Sequence, residues 1–213
     1  MVKTLRKFKE AILILVPLFC FYLFFQTRGI FGGDSGDLVA AAAVWGIPHP
    51  PGYPLYTFIS ALLIRLPFFT PAWRVALLSS LPSALAVVFL YLTLRQLVKS
   101  RLISLTASLT LAFAYIFWLN AEVAEVFGLN SFFICLLIFL ILSWHQKPTA
   151  RRFYLFSFFL GLSLTHHQTI LFLLPAFLYL VIKRLPLKNL KRILLKSFLL
   201  FATPNIPARF PLR

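Results

Sequence analysis

Acidic side chains are scarce in this chain: Asp and Glu together number 5 among 213 residues, against 21 Lys and Arg. Charged residues of both signs make up only 12%, where soluble domains average about 25%. That shortage excludes a water-covered globule, because too few polar side chains exist to coat a chain of this size unless lipid covers most of it. Cysteine is scarce too. Cys20 and Cys135 both sit in apolar runs, which excludes a disulfide framework and leaves them as packing residues. Also missing is any basic stripe interleaved with base-stacking aromatics, so the formal charge of +16 does not point to nucleic acid.

What the chain has instead is apolar length. Hydrophobic types reach 61%, and a helix needs about 20 uncharged residues to cross the ~30 Å hydrocarbon layer. The basic start Lys3, Arg6, Lys7 and Lys9 holds the N-terminus in the cytoplasm and sends a first span, Ala11 to Thr27, outward as an uncleaved signal anchor. Val75 to Leu94 returns to a basic loop with Arg95, Lys99 and Arg101. Leu102 to Ala121 goes out, and Val126 to Trp144 comes back to Lys147, Arg151 and Arg152. The run 153–182 is too long for one span and reads as a hairpin turning near Thr165, His166, His167 and Gln168. A last apolar stretch from Ser197 starts outward and stops at a Pro-rich tail. The expectation is an all-α, polytopic, multi-pass integral membrane protein with about six spans, a partial seventh, and an interfacial helix between Leu55 and Phe69. The whole of 1–213 is one transmembrane domain, the N-terminal part of a longer module.

Apolar length and Lys/Arg bias, with no use of Asp, Glu or His, nevertheless sort those residues. Asp34, Asp37, Glu122, Glu125, His49, His166 and His167 fall on the extracytoplasmic side, and only Glu10 and His145 fall inside. Ionisable groups are costly near a membrane, so such a gathering is a candidate site.

The first outer loop, 28–72, holds the densest part of that gathering. Gly32-Gly33-Asp34-Ser35-Gly36-Asp37 opens a small-residue helix, and Pro48-His49-Pro50-Pro51-Gly52-Tyr53-Pro54 follows it. Glycines permit tight turns, and Asp or Ser caps a helix start, which is the competing role for both carboxylates. The prolines make a rigid corner that presents His49 and Tyr53.

These two elements resemble the opening of the GT-C-type membrane glycosyltransferases related to protein O-mannosyltransferases. Ala72-Trp73-Arg74-Val75, Ala121-Glu122-Val123-Ala124-Glu125-Val126 with Leu129-Asn130, and Gly161-Leu162-Ser163 ahead of His166-His167 extend the resemblance along nearly the whole chain. It implies transfer of a sugar, with mannose the first candidate, from a polyprenyl-phosphate-linked donor to an acceptor hydroxyl, on protein or glycan, at the outer membrane face. That is the plasma or inner membrane in a bacterium and the endoplasmic reticulum in a eukaryote. Asp34 is then the candidate base, with Asp37 in support; the pair are the candidate catalytic residues. Arg74 is placed to neutralise the leaving phosphate, although anchoring at the interface is an equal role for it. His49, Tyr53, Glu122, Glu125, His166 and His167 complete the substrate-binding set. Glu122 and Glu125 share a face if one helix holds both, and such a pair calls for a positive partner: Arg74, a histidine or a divalent cation, the one cofactor candidate. The histidines lack the spacing that marks a metal site. A transporter and a non-catalytic, truncated lipid-sugar-binding protein are the rival functions, but a transporter would place its acids near the bilayer midplane.

The Lys/Arg asymmetry makes a direct prediction. In intact cells a membrane-impermeant thiol reagent should label a cysteine at Ser35 and spare one at Lys99; the opposite pattern would invert the topology.

Overall fold

The computed structural model describes residues 2–184. Among them the chain forms nine α-helices and one 3-10 helix, and no strand. α1 is Val2–Phe25, α2 Ser35–Val44, α3 Pro54–Leu63, α4 Pro71–Leu97, α5 Arg101–Ala112, α6 Tyr115–Glu122 and α7 Phe127–Gln146; α8, Ala150–Leu164, is followed by the 3-10 helix Gln168–Leu173 and α9, Leu174–Arg184.

Three helices, α1, α4 and α7, are long and apolar enough to cross a membrane, and α5 with α6 makes a fourth span if the bent pair is counted as one. The expected third span is therefore bent, by 62°, at Phe113 and Ala114. The bend strands carbonyls at the end of α5, and in lipid each needs a donor. Tyr22 supplies one, its hydroxyl donating to the Ala112 carbonyl at 2.8 Å. The expected hairpin in 153–182 is present, turning after Leu164, but its arms run only 15 and 11 residues. The stretch from Ser197 lies outside the described residues. In the first loop α3 has 10 residues, about 15 Å at helical rise, so it does not span and suits the interfacial role. The Arg65 guanidinium beyond it stacks on Trp45, 4.4 Å from the ring centre, and donates to the Ala61 carbonyl.

The bundle has two chemically different ends. At one, Glu10 of α1 accepts from the Tyr91 hydroxyl at 2.8 Å and pairs with Arg6 at 3.5 Å, Arg101 at 3.4 Å and Arg95 at 4.0 Å. The lone acid of the basic end thus ties α1, α4 and α5 together. At the other end Gln26 donates to the Trp73 carbonyl at 2.7 Å, and the Thr27 amide to the Glu122 carbonyl at 2.9 Å. The residues just past α1, the start of α4 and the end of α6 meet there.

α4 and α7 pack closest at small residues. A Cβ on Gly128 would lie 2.6 Å from the Ser79 carbonyl oxygen and 2.9 Å from its Cα. The Ser83 hydroxyl, at 2.8 Å, could turn away, but the Ser79 backbone could not, so no rotamer change would make room. Small residues at such a crossing let two membrane helices approach closely and gain dispersion contact.

Gly128→Ala should therefore push the two helices apart and lower stability by about 1–3 kcal/mol, the usual range for overpacking. Gly29→Ala, where nothing lies within 4 Å, should stay within about 0.5 kcal/mol. Unfolding of the purified protein in detergent checks both; equal stability of the two variants would remove the close crossing from the account.

Candidate functional site

The site grows from the turn before α2. Asp34 occupies the N-cap position, yet its carboxylate makes no capping hydrogen bond. The helix start is held instead by backbone, with the Leu38 amide donating to the Asp34 carbonyl at 3.0 Å. The Asp34 side chain thus caps nothing and is half exposed.

His49 crosses to both acids of this turn. Its Nδ1 lies 2.8 Å from Asp37 Oδ2, and its Nε2 lies 3.4 Å from Asp34 Oδ2. The His49 backbone amide donates to the same Asp37 oxygen at 2.8 Å. One carboxylate oxygen therefore fixes both the main chain and the ring of His49. The hydrogen bonds from the His49 amide and ring hold the Asp37 carboxyl below its usual value, and the bond to Asp37 raises the His49 imidazole above its own.

The Pro-rich corner carries the ring onward. Tyr53 adopts φ 42° and ψ 59°, a left-handed conformation that costs a non-glycine residue about 1–3 kcal/mol. In that pose its ring lies 5.6 Å from His49, 6.3 Å from His166 and 5.5 Å from His167. Residues more than a hundred positions apart thus form one row. The Leu55 amide adds a backbone link, donating to the Thr165 carbonyl at 3.2 Å.

Glu125 enters from below. A Cβ on Gly33 would lie 3.7 Å from Glu125 Oε1, an ordinary contact, and it is the φ of +74° at this turn that suits glycine. The Asp34 and Val126 backbone groups face the Glu125 carboxylate. Burial raises the Glu125 carboxyl above its usual range, and the Asp34 charge adds to the rise. The Ser79 hydroxyl of α4 donates to the Glu125 carbonyl at 2.8 Å and accepts from its amide at 3.1 Å. Glu125 Oε2 is buried without a partner among the described residues.

Two expected members lie elsewhere. α6 ends at Glu122, and Val123 is extended at φ −118°, ψ 160°, so Glu122 and Glu125 do not share a helix face. Glu122 stays with α1 and α6, beside Trp118, while Glu125 turns towards Asp34. Their mutual repulsion is relieved by this parting and calls for no shared cation. Arg74 donates to the Leu66 and Thr70 carbonyls and closes the turn into α4; no hydrogen bond or ion pair joins it to the cluster among the described residues. Nor is any group of three or more His, Cys, Asp or Glu among the described residues arranged to hold a metal ion. Ser79 was not visible in sequence as a site residue, because one serine in a run of small residues on an apolar helix carries no signal of its own.

The charge pair gives a pH prediction with a definite sign. His49 is raised, so its pairing is fully present below the usual 6.5 and is lost as pH rises through the higher folded value. Asp37 is lowered, so its share is present above 3.8 and is lost as pH falls through the lower folded value. Histidine NMR of the wild-type protein should show a His49 midpoint above 6.5, moving back towards 6.5 in Asp37→Asn. An unchanged midpoint in the variant would contradict the pairing.

Comparison with known proteins bears on this cluster. Residues 34–190 match the family described as Protein O-mannosyl-transferase TMEM260 N-terminal domain, a stretch that holds Asp34, Asp37, His49, Tyr53, Glu125, His166 and His167. The chain is 35% identical over 187 residues to Protein O-mannosyl-transferase TMEM260 of Mus musculus, covering 84% of this chain and 27% of that protein. It is 28% identical over 196 residues to Protein O-mannosyl-transferase tmem260 of Dictyostelium discoideum, covering 83% of this chain and 24% of that protein. The chain spans about a quarter of the length of these curated relatives. No solved structure matches it. With its apolar helices and these relatives it is an integral membrane protein, and it belongs to the protein O-mannosyl-transferase TMEM260 N-terminal domain family.

Proposed function

We propose that this chain carries the reaction centre of a membrane glycosyltransferase. The sugar, mannose by the names of the relatives, moves from a polyprenyl-phosphate-linked donor to the hydroxyl of a protein Ser or Thr. The reaction faces the extracytoplasmic side, and the Glu10 end of the bundle faces the cytoplasm. Lys7, Lys9, Lys99, Lys147, Arg151 and Arg152 near that end support the orientation, since basic loops are retained on the cytoplasmic side.

One observation carries this reading: a carboxylate at a helix start that caps nothing and stands 3.4 Å from a histidine held by a second carboxylate. Asp34 is the base. It takes the proton of the acceptor hydroxyl as the oxygen bonds to the anomeric carbon, and the bond from that carbon to the phosphate oxygen breaks with its electron pair left on phosphate. Asp37 keeps His49 in place, and protonated His49 opposite Asp34 orients the base. Glu125 stands behind the Asp34 turn, where its buried carboxylate adds negative charge beside the base. The grouping of the acids at the ends of the helices, not midway along them, disfavours the transport alternative.

Asp34→Asn tests the assignment, because Asn caps almost as well as Asp and cannot accept the proton. In the full-length protein, transfer per folded molecule should fall by about 10²–10⁴-fold with donor binding retained. Turnover near wild type would reject Asp34 as the base, and a large loss confined to Asp37→Asn would move the role there.

A further inference from the structure

Three histidines stand at the acidic end, and the atoms around each decide where its hydrogen sits. His166 Nε2 lies 3.1 Å from the Val126 carbonyl oxygen. A carbonyl only accepts, so this nitrogen carries the hydrogen. The ring is 2% exposed and its Nδ1 is buried with no partner, consistent with a neutral side chain that fastens the α8 turn to the start of α7. Burial lowers its pKa to about 4.

His167, the next residue, is fixed by different groups. The Thr169 amide nitrogen is 3.2 Å from His167 Nδ1, and a backbone amide only donates, so Nδ1 must present its lone pair. The Thr169 hydroxyl, 2.9 Å away, then donates to the same atom, since Nδ1 carries no hydrogen, and its oxygen accepts from Asn130 Nδ2 at 3.0 Å. The ring hydrogen is then on Nε2. Adding a proton at Nδ1 would set two donors against a third, and burial also lowers the His167 pKa. Nε2 has no partner among the described residues and, unlike His166 Nδ1, is not sealed from solvent.

We propose that His167 donates a hydrogen bond from Nε2 to the phosphate of the lipid-linked donor, with Thr169 and Asn130 holding its proton on that nitrogen. The assignment rests on the glycosyl-transfer reading above. Ring order supports phosphate as the ligand: Tyr53 separates His167 from His49, so an anion at His167 is set away from Asp34 and Asp37. A second support is a neighbouring cavity. Phe127, 6.4 Å from His167, also lines a cavity of about 460 Å³ with Ala114, Ile116, Phe117 and Asn120. Those walls are mainly apolar and suit the first isoprenoid units of a lipid whose phosphate is at His167. A neutral donor keeps its strength while His49 changes charge, so phosphate binding and proton transfer answer to different groups.

Two substitutions in the full-length protein separate the ring's two nitrogens. In His167→Asn the side-chain oxygen can still accept from the Thr169 amide, which preserves the turn, but nothing reaches the Nε2 position. His167→Gln places an amide N–H near Nε2. With a short-chain polyprenyl phosphate as probe, His167→Asn should bind about 10–100-fold more weakly, the value of a hydrogen bond to a charged group. His167→Gln should recover most of that loss, and the acidic limb of the transfer rate should not move in either. Equal binding by His167→Asn and wild type would overturn the proposal. So would ¹⁵N-histidine spectra that place the His167 proton on Nδ1, or on both nitrogens, at neutral pH. A wild-type protein that binds the lipid phosphate but transfers no sugar would overturn the glycosyl-transfer reading, while the binding and tautomer results would still decide the role of His167.

Discussion

The acidic end is organised around a double hydrogen bond between the Ser79 hydroxyl and the backbone of Glu125. One hydroxyl satisfies both the amide and the carbonyl of a residue that has left one helix and not yet joined the next. Buried backbone groups without partners are costly, and most of all in lipid, so this break between α6 and α7 persists only because α4 supplies the missing partners. Reaching them requires α4 and α7 to lie close, which Gly128 permits. From that contact the rest follows. Glu125 is held under Gly33 and Asp34, the Val126 carbonyl is turned to His166, and His166 brings the α8 turn beside Tyr53 and Tyr56.

Charge is distributed along the bundle on the same economical lines. With five acids in the chain, one stabilises the basic end and the others stand at the opposite end. There the three histidines are given three states by their neighbours. His49, between two carboxylates, favours the charged form; His166 is buried and neutral; His167 is neutral with an accessible donor. The local partner decides each state, and residue type alone would not have separated them.

Much of the framework was legible in the sequence. The positions of α1, α4 and α7 follow from apolar length, and the acids that the Lys/Arg bias sets apart from the basic loops lie at the opposite end of the bundle from Glu10 and its arginines. The Asp-Ser-Gly-Asp and Pro-rich elements were legible because glycine and proline have few backbone options. The breaks were not. Neither Phe113-Ala114 nor Val123-Ala124 contains a glycine or proline, and each is stabilised by a partner distant in sequence, Tyr22 in one case and Ser79 in the other. For the same reason Glu122 and Glu125 looked like neighbours on a helix face. Tyr53 in the left-handed region was equally hidden, since local preference favours glycine there and only the surrounding rings favour tyrosine. Arg74 had the right charge in the right region, but its guanidinium is used by the turn into α4.

The claim that these separate segments make one reaction centre is tested most directly by a structure of the full-length protein with an unreactive polyprenyl-phosphate sugar analogue bound. The account predicts the sugar beside Tyr53, its anomeric carbon facing Asp34 and its phosphate at His167. An analogue bound at another end of the bundle, or with its phosphate against Asp34 and Asp37, would contradict it.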